Sequence, residues 1–335
     1  MINGKASGLE SFDFRGIHPR LLIGTMSDRY AGWIGQIYSS DRYAGRITRR
    51  NKRVGKVVFK EDVLPVSSVE EYFRHFPVLE IDFTFYRPLL DGDGEPESNY
   101  HVLRTYRGHL KPENRLFLKV PQAVCAPRLR RGKICDDNPD YLNPDFFLRR
   151  FYRPALDLLG ENLAGLIFEQ AYQRKQAGGT AETLAAELDT FFEALPTDPR
   201  FHVEIRTDRL LRPPVIDMLR GRGVGLVLSH WTWLPALREQ AARAGGWFAS
   251  GDGARVIRLI TPRGMTYEQT YAAAHPFSGM VAGMLHDAVV EETLEIIRGA
   301  VREGSRLYLF VNNRAGGNAP LTAQRIGREF LAAAG

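Results

Sequence analysis

Cysteine is scarce in this chain of 335 residues: Cys125 and Cys135 are the only two. Their spacing is neither a disulfide framework nor the short pair of a zinc ribbon or redox motif, so free thiols in a reducing compartment are expected. No run of about 18 apolar residues occurs, which excludes a transmembrane helix and gives no reason to expect a membrane partner. The opening stretch MINGKASGLESFDFRG lacks the apolar core of a secretory signal, and a cytoplasmic protein is the expectation. The Gly-rich dinucleotide fingerprint is also missing: IGTMSDRYAGW follows the first apolar run where G-x-G-x-x-G would stand. Neither a phosphate-cradling P-loop nor a G-x-S-x-G nucleophile elbow is found.

What is present is ordinary globular composition, 44% hydrophobic and 25% charged, with a net charge of +6. That balance favours anionic partners weakly and says nothing of fold. The length suits one large α/β barrel or two medium domains.

Short β-rich apolar runs alternate with longer stretches of helical spacing. Strands are expected at 21–25, 78–84, 115–121, 163–170, 201–206, 225–229, 254–260 and 306–312. Between them lie helical segments. SSVEEYFRHF places Ser68 and Glu71 at capping-box spacing. NPDFFLRRFYRPALDLLG runs from Asn-Pro to Gly with Pro154 predicting a break. TAETLAAELDTFFEALP, DAVVEETLEIIRGAVREG and PLTAQRIGREFLAAA follow. Eight strand–helix repeats predict one α/β domain over residues 1–335, a (β/α)8 TIM-like barrel with its core at about 21–334. An open doubly wound sheet is the alternative.

Two insertions interrupt the pattern, at 26–66 after the first strand and at 122–143 after the third. The first is basic: Arg42, Arg46, Arg49, Arg50, Lys52, Arg53, Lys56 and Lys60 stand with no acid across 42–60. The hexapeptide SDRYAG occurs in it twice, at 27–32 and 40–45. The second opens with Arg128, Arg130, Arg131 and Lys133. As βα loops, both belong on the face where barrel sites lie.

The stretch VLEIDFTFYRP carries Glu80 and Asp82 in what reads as a buried strand. Burying carboxylates costs several kcal/mol unless cations or water meet them, roughly the scale of a broken buried ion pair. Other strands end similarly: Lys119; Glu169 and Gln170; Glu204 and Arg206; His230; Arg258; Asn312 and Asn313. Each has a plain structural reading, as an ion pair, a cap or a half-buried loop residue. Together they resemble a preorganised polar site. Glu80, Asp82, Glu169, Glu204 and His230 are donor types a divalent metal accepts, but Lys119, Arg206 and Arg258 crowd the same rim with positive charge. No cofactor is expected, with a divalent metal the lesser alternative.

These strand ends resemble the YecE-like proteins, the "domain of unknown function 72" family. The matching motifs are IGT (23–25), LEIDFTFYRP (79–88), LKVP (118–121), IFEQ (167–170), VEIR (203–206) and VNN (311–313). The resemblance implies a TIM barrel and carries site roles onto Glu80, Tyr86, Lys119, Gln170, Glu204, Arg206, Arg258, Asn312 and Asn313. The chain departs from the family's pattern at Asp82, where Asn is usual, and at Arg314, where an acid often follows the two asparagines.

The expected activity is binding or acid/base transformation of an anionic small molecule, phosphorylated ones among the candidates, hydrolase- or lyase-like if catalytic. Glu80, Lys119, Glu204 and Asn312 would act on it; Asp82, Tyr86, Gln170, Arg206, His230, Arg258 and Asn313 would hold it. One alternative is nucleic-acid binding through 42–60 and 128–133, with interleaved aromatics stacking on bases. The other is a non-catalytic ligand-binding barrel. The sequence does not set the oligomeric state.

Overall fold

Val, Ile, Leu and Phe dominate the short runs, and each such run forms a parallel strand buried on both faces. The structure is a computed structural model describing residues 12–131, 134–173 and 179–333. Its barrel strands are β1 (Leu21–Met26), β2 (Val78–Ile81), β3 (Arg115–Lys119), β4 (Leu163–Gln170), β5 (Phe201–Ile205), β6 (Gly225–His230), β7 (Ala254–Leu259) and β8 (Arg306–Val311). Each pairs in parallel with its chain neighbours, and β8 closes on β1 with Leu21 opposite Leu307. The sheet is therefore a closed eight-stranded barrel, and the open-sheet alternative is excluded.

Strand alternation sorts the side chains into two sets. Outward residues such as Leu79, Leu116, Phe168, Val203, Leu228 and Ile257 pack beneath the helices. Inward residues Val78, Phe117, Ile167, Val227, Val256, Tyr308 and Phe310 fill the barrel. Gly165 points inward beside Phe117, and a Cβ there would fall within the Phe117 ring. The aromatic fits because β4 has no side chain at that position. Each of these fully buried large residues contributes roughly 1.5–3 kcal/mol of transfer energy.

A helix follows every strand. Asp287–Arg302, between β7 and β8, buries Val290, Leu294 and Ile297, one apolar stripe at helical spacing. Thr180 caps Ala181–Glu193 by accepting from the Thr183 amide, and Asn143 caps Pro144–Phe147 by accepting from Phe146. The expected break at Pro154 takes the form of a π-helical turn, Leu148–Tyr152, just ahead of Arg153–Leu159. The capping box at Ser68 and Glu71 does not form. A 3-10 turn, Val66–Ser68, precedes the helix and leaves Ser68 helical rather than extended, with no side-chain cap. Glu71 instead accepts from the Ser39 amide, the Ser39 hydroxyl and the Tyr43 hydroxyl.

The first insertion is built, not loose. It holds 3-10 turns at Ala31–Trp33 and Asp41–Tyr43, then an antiparallel ribbon of Thr48–Val54 and Val57–Val63. The two SDRYAG copies are used differently. Tyr30 of the first lines the barrel mouth, whereas Tyr43 of the second is fully buried against Glu71. Many of the basic residues are met by acids from just outside 42–60. Arg42 pairs with Glu70, Arg49 with Asp62, and Arg50 and Lys52 with Glu61. In the second insertion, Arg128 pairs with Asp137 across a short ribbon. The side chains of Arg130 and Arg131, and Lys133 altogether, lie outside the described residues.

Candidate active site at the barrel mouth

The inward positions nearest the C-terminal ends of the strands are polar, and they meet. Arg258 of β7 lies at their centre. Its Nε and Nη2 donate to the two oxygens of Glu80 on β2, at 2.9 and 2.6 Å. Its Nη1 donates to Glu204 on β5 and reaches Glu169 on β4 at 3.4 Å. Arg206 bridges Glu169 at 2.7 Å and Glu204 at 3.1 Å. Lys119 of β3 pairs with Glu169 at 2.6 Å. Ser229 of β6 donates to the remaining oxygen of Glu204, and Gln240 pins the Ser229 backbone from behind. Six strands thus contribute to one network, in which every carboxylate is met by a cation.

The electrostatics follow from that packing. Burial pushes the Glu80 carboxyl up, and the Arg258 fork only partly offsets it. Burial also opposes ionisation of Glu169, but Arg206, Lys119 and Arg258 outweigh it and hold its carboxyl well below the usual range. Burial works against the charge on Arg258, yet Glu204, Glu80 and Glu169 hold its pKa above the usual arginine value.

Above the network is a cavity of about 270 Å³. Glu80, Lys119, Glu169, Arg206 and Arg258 form its floor, and Tyr30, Phe85, Tyr86, Trp231, Tyr267 and Tyr271 its walls. Arg206 lies over the Trp231 ring at 4.6 Å and Lys119 over Phe85 at 3.9 Å. Asn312 and Arg314 close the side beyond β8. Asn312 accepts from the Arg314 amide and from its Nε, while Arg314 lies 4.3 Å from the Tyr267 ring.

The residues singled out from the sequence are not all here. Glu80, Asp82, Tyr86, Lys119, Arg206, Arg258, Asn312 and Asn313 line the cavity. Glu204 does not. It is fully buried beneath the two arginines, so it positions them rather than facing a ligand. Gln170 shares the outward parity of Phe168, and His230 that of Leu228, so both turn toward the helical layer. Burial, with Arg263 and His286 nearby, holds His230 down at about 4, which keeps it neutral. β2 ends at Ile81, so Asp82, Phe83 and Thr84 leave the strand pattern. Asp82 accepts from the Ser27 hydroxyl at 2.6 Å, and Thr84 donates to the Lys119 carbonyl at 2.7 Å. Asn313 turns partly away, accepting from Trp33 Nε1 and from the Ala319 amide.

Glu169 is the residue whose weight the sequence understated. It is the hub for Lys119 and Arg206 and faces inward with Ile167, a facing that a strand apolar on both sides does not reveal in its sequence. Among the described residues no cluster of three His, Cys, Asp or Glu side chains is placed to hold a metal. No described helix is long and apolar enough to cross a membrane.

A family model described as "Protein of unknown function DUF72" matches residues 48–334. Among solved structures, a DUF72 family protein from Enterococcus faecalis V583 aligns at a TM-score of 0.56 and 13% identity, covering 93% of this chain and 98% of that one. A DUF72 family protein from Thermotoga maritima MSB8 aligns at 0.52 and 14%, covering 94% and 98%. At such identities the likeness speaks for the fold. No curated protein matches the chain.

Proposed function

The chain belongs to the DUF72 family of proteins of unknown function, and from the chemistry of its barrel mouth we propose that it binds and transforms an anionic small molecule anchored by Arg314. Arg314 is the observation that supports this reading. It lies half-buried in the cavity wall, held by Asn312 and the Tyr267 ring, with no carboxylate paired to it among the described residues. Burial lowers its pKa, as expected of a cation without a counter-ion. An anion would supply that counter-ion, and the planar guanidinium suits a phosphate or carboxylate.

Glu80, Glu169 and Glu204 already accept from arginine or lysine, so they form a rigid platform rather than a set of proton carriers. The carboxyl with room to act is Asp82. Its Oδ1 accepts from Ser27, and its Oδ2 has no partner among the described residues. Asp82 is then the acid/base group, and the Asn312 amide is the donor to a developing oxyanion. Asn312 Nδ2 meets only the Met26 sulfur, at 3.6 Å, which leaves it free for that task. The nucleic-acid reading loses support where four cations of the basic insertion, Arg42, Arg49, Arg50 and Lys52, are already paired with Glu70, Asp62 and Glu61.

Thermal-shift and calorimetric titration with inorganic phosphate, phosphorylated sugars and hydroxycarboxylates tests this. At least one anion should raise the melting temperature of the native chain, because binding to the folded state stabilises it. Arg314→Met should remove the shift without lowering the melting temperature of the free protein. An unchanged shift in the variant, or no shift with any anion, would refute the reading.

A further inference from the structure

A second, larger cavity of about 780 Å³ lies beside the first, between the basic ribbon and the turns Ala31–Trp33 and Phe83–Phe85. The two share Tyr30, Lys52, Asp82, Tyr86 and Phe277, so they are adjoining chambers. We propose that the ligand extends from the first cavity into the second and carries an ammonium group at its far end, held by Asp28, with Asp82 between the two chambers. The inference rests on the anion site at Arg314 only for the near end of the ligand.

Asp28 is the unusual residue. It lines the second chamber and is 2% exposed. Its Oδ1 accepts from the Tyr106 hydroxyl at 2.7 Å, and its Oδ2 has no partner among the described residues. An unmet carboxylate oxygen in such surroundings is costly. Burial raises its pKa to about 6, and the nearby Asp82 pushes in the same direction. A cation bound beside Asp28 would offset both effects.

The cations of the second chamber are largely committed. Arg29 gives its Nε to the Leu64 carbonyl at 2.6 Å, Arg50 and Lys52 pair with Glu61, and Lys60 is exposed. Arg29, through its terminal nitrogens, and Lys60 keep positive charge in the same chamber, and Arg29 partly offsets the charge of Asp28, but neither donates to Asp28 Oδ2, which stays without a partner among the described residues. Tyr30, Tyr86 and Tyr106 border the same space, and aromatic faces next to carboxylates favour ammonium groups.

The test uses the full chain and ω-aminoalkyl phosphates of two to six carbons, with the matching alkyl and ω-hydroxyalkyl phosphates as controls, all measured by calorimetry. The amino compounds should bind about tenfold or more tighter than the alkyl ones, the scale of one charge-assisted hydrogen bond, with an optimum chain length. The hydroxyl compounds should gain less. Asp28→Asn keeps an acceptor for Tyr106 and should abolish the preference; Asp82→Asn, which keeps one for Ser27, should reduce it. Arg314→Met should weaken amino and alkyl phosphates alike and leave their ratio intact. Equal affinity for amino and alkyl compounds at every length, or a preference that survives Asp28→Asn, would overturn the proposal. Simple alkylamines that bind through Asp28 while no phosphate binds would uphold the ammonium site and sink the anion reading alone.

Discussion

Arg258 and Arg49 are both paired with a carboxylate from another strand, at 2.6 Å to Glu80 and 2.7 Å to Asp62. The side chains of the first pair are 3% and 0% exposed; those of the second are 65% and 37% exposed. In the barrel, charge has been removed from water and must be satisfied by geometry, so each group is fixed by several others. On the ribbon, charge stays in water, where screening and side-chain entropy leave little net gain. The ribbon is the more conspicuous of the two in the sequence, because its cations are contiguous. The barrel network is assembled from single residues on distant strands and is the more consequential.

The largest effect should come from the barrel. Arg258→Met strands Glu80 as a buried carboxylate without an ion pair and leaves Glu204 to Arg206 and Ser229, and urea unfolding should show a loss of about 3–5 kcal/mol. A loss within the noise would mean that water already solvates the network. Arg49→Ala should leave the urea midpoint unchanged, since its partner Asp62 returns to solvent. A clear destabilisation there would break the contrast and give the ribbon a structural role that its exposure does not suggest.

The same contrast explains what could be read from the sequence. The eight strands were legible because a barrel strand is apolar on both faces, a short-range signal. Glu80, Lys119, Arg206 and Arg258 stood out as charges within such runs. Facing was harder to read. Glu169 and Gln170 are adjacent in a strand with apolar residues on both sides, so alternation says that one points in without saying which. His230 and Ser229 posed the same problem, and the ordinary-looking serine is the one that meets Glu204. Glu204 read as catalytic because its burial under Arg206 and Arg258 depends on two strands that are far apart in sequence. Asp82 was legible as a site residue but was read as part of the strand, which ends at Ile81, where φ and ψ rather than composition decide. Arg314 was visible only as a departure from the family's pattern. Its role depends on Asn312 and Tyr267, and Tyr267 begins a helix in a different loop.

The central claim is that the usable positive charge of this protein lies in the barrel mouth and not on its basic surface. Soaking crystals in selenate and locating selenium by anomalous diffraction tests it most directly. The account predicts a peak within hydrogen-bonding distance of the Arg314 guanidinium, between Asn312 and Tyr267. Peaks confined to Arg53, Lys56 and the rest of the ribbon, with none at Arg314, would contradict it.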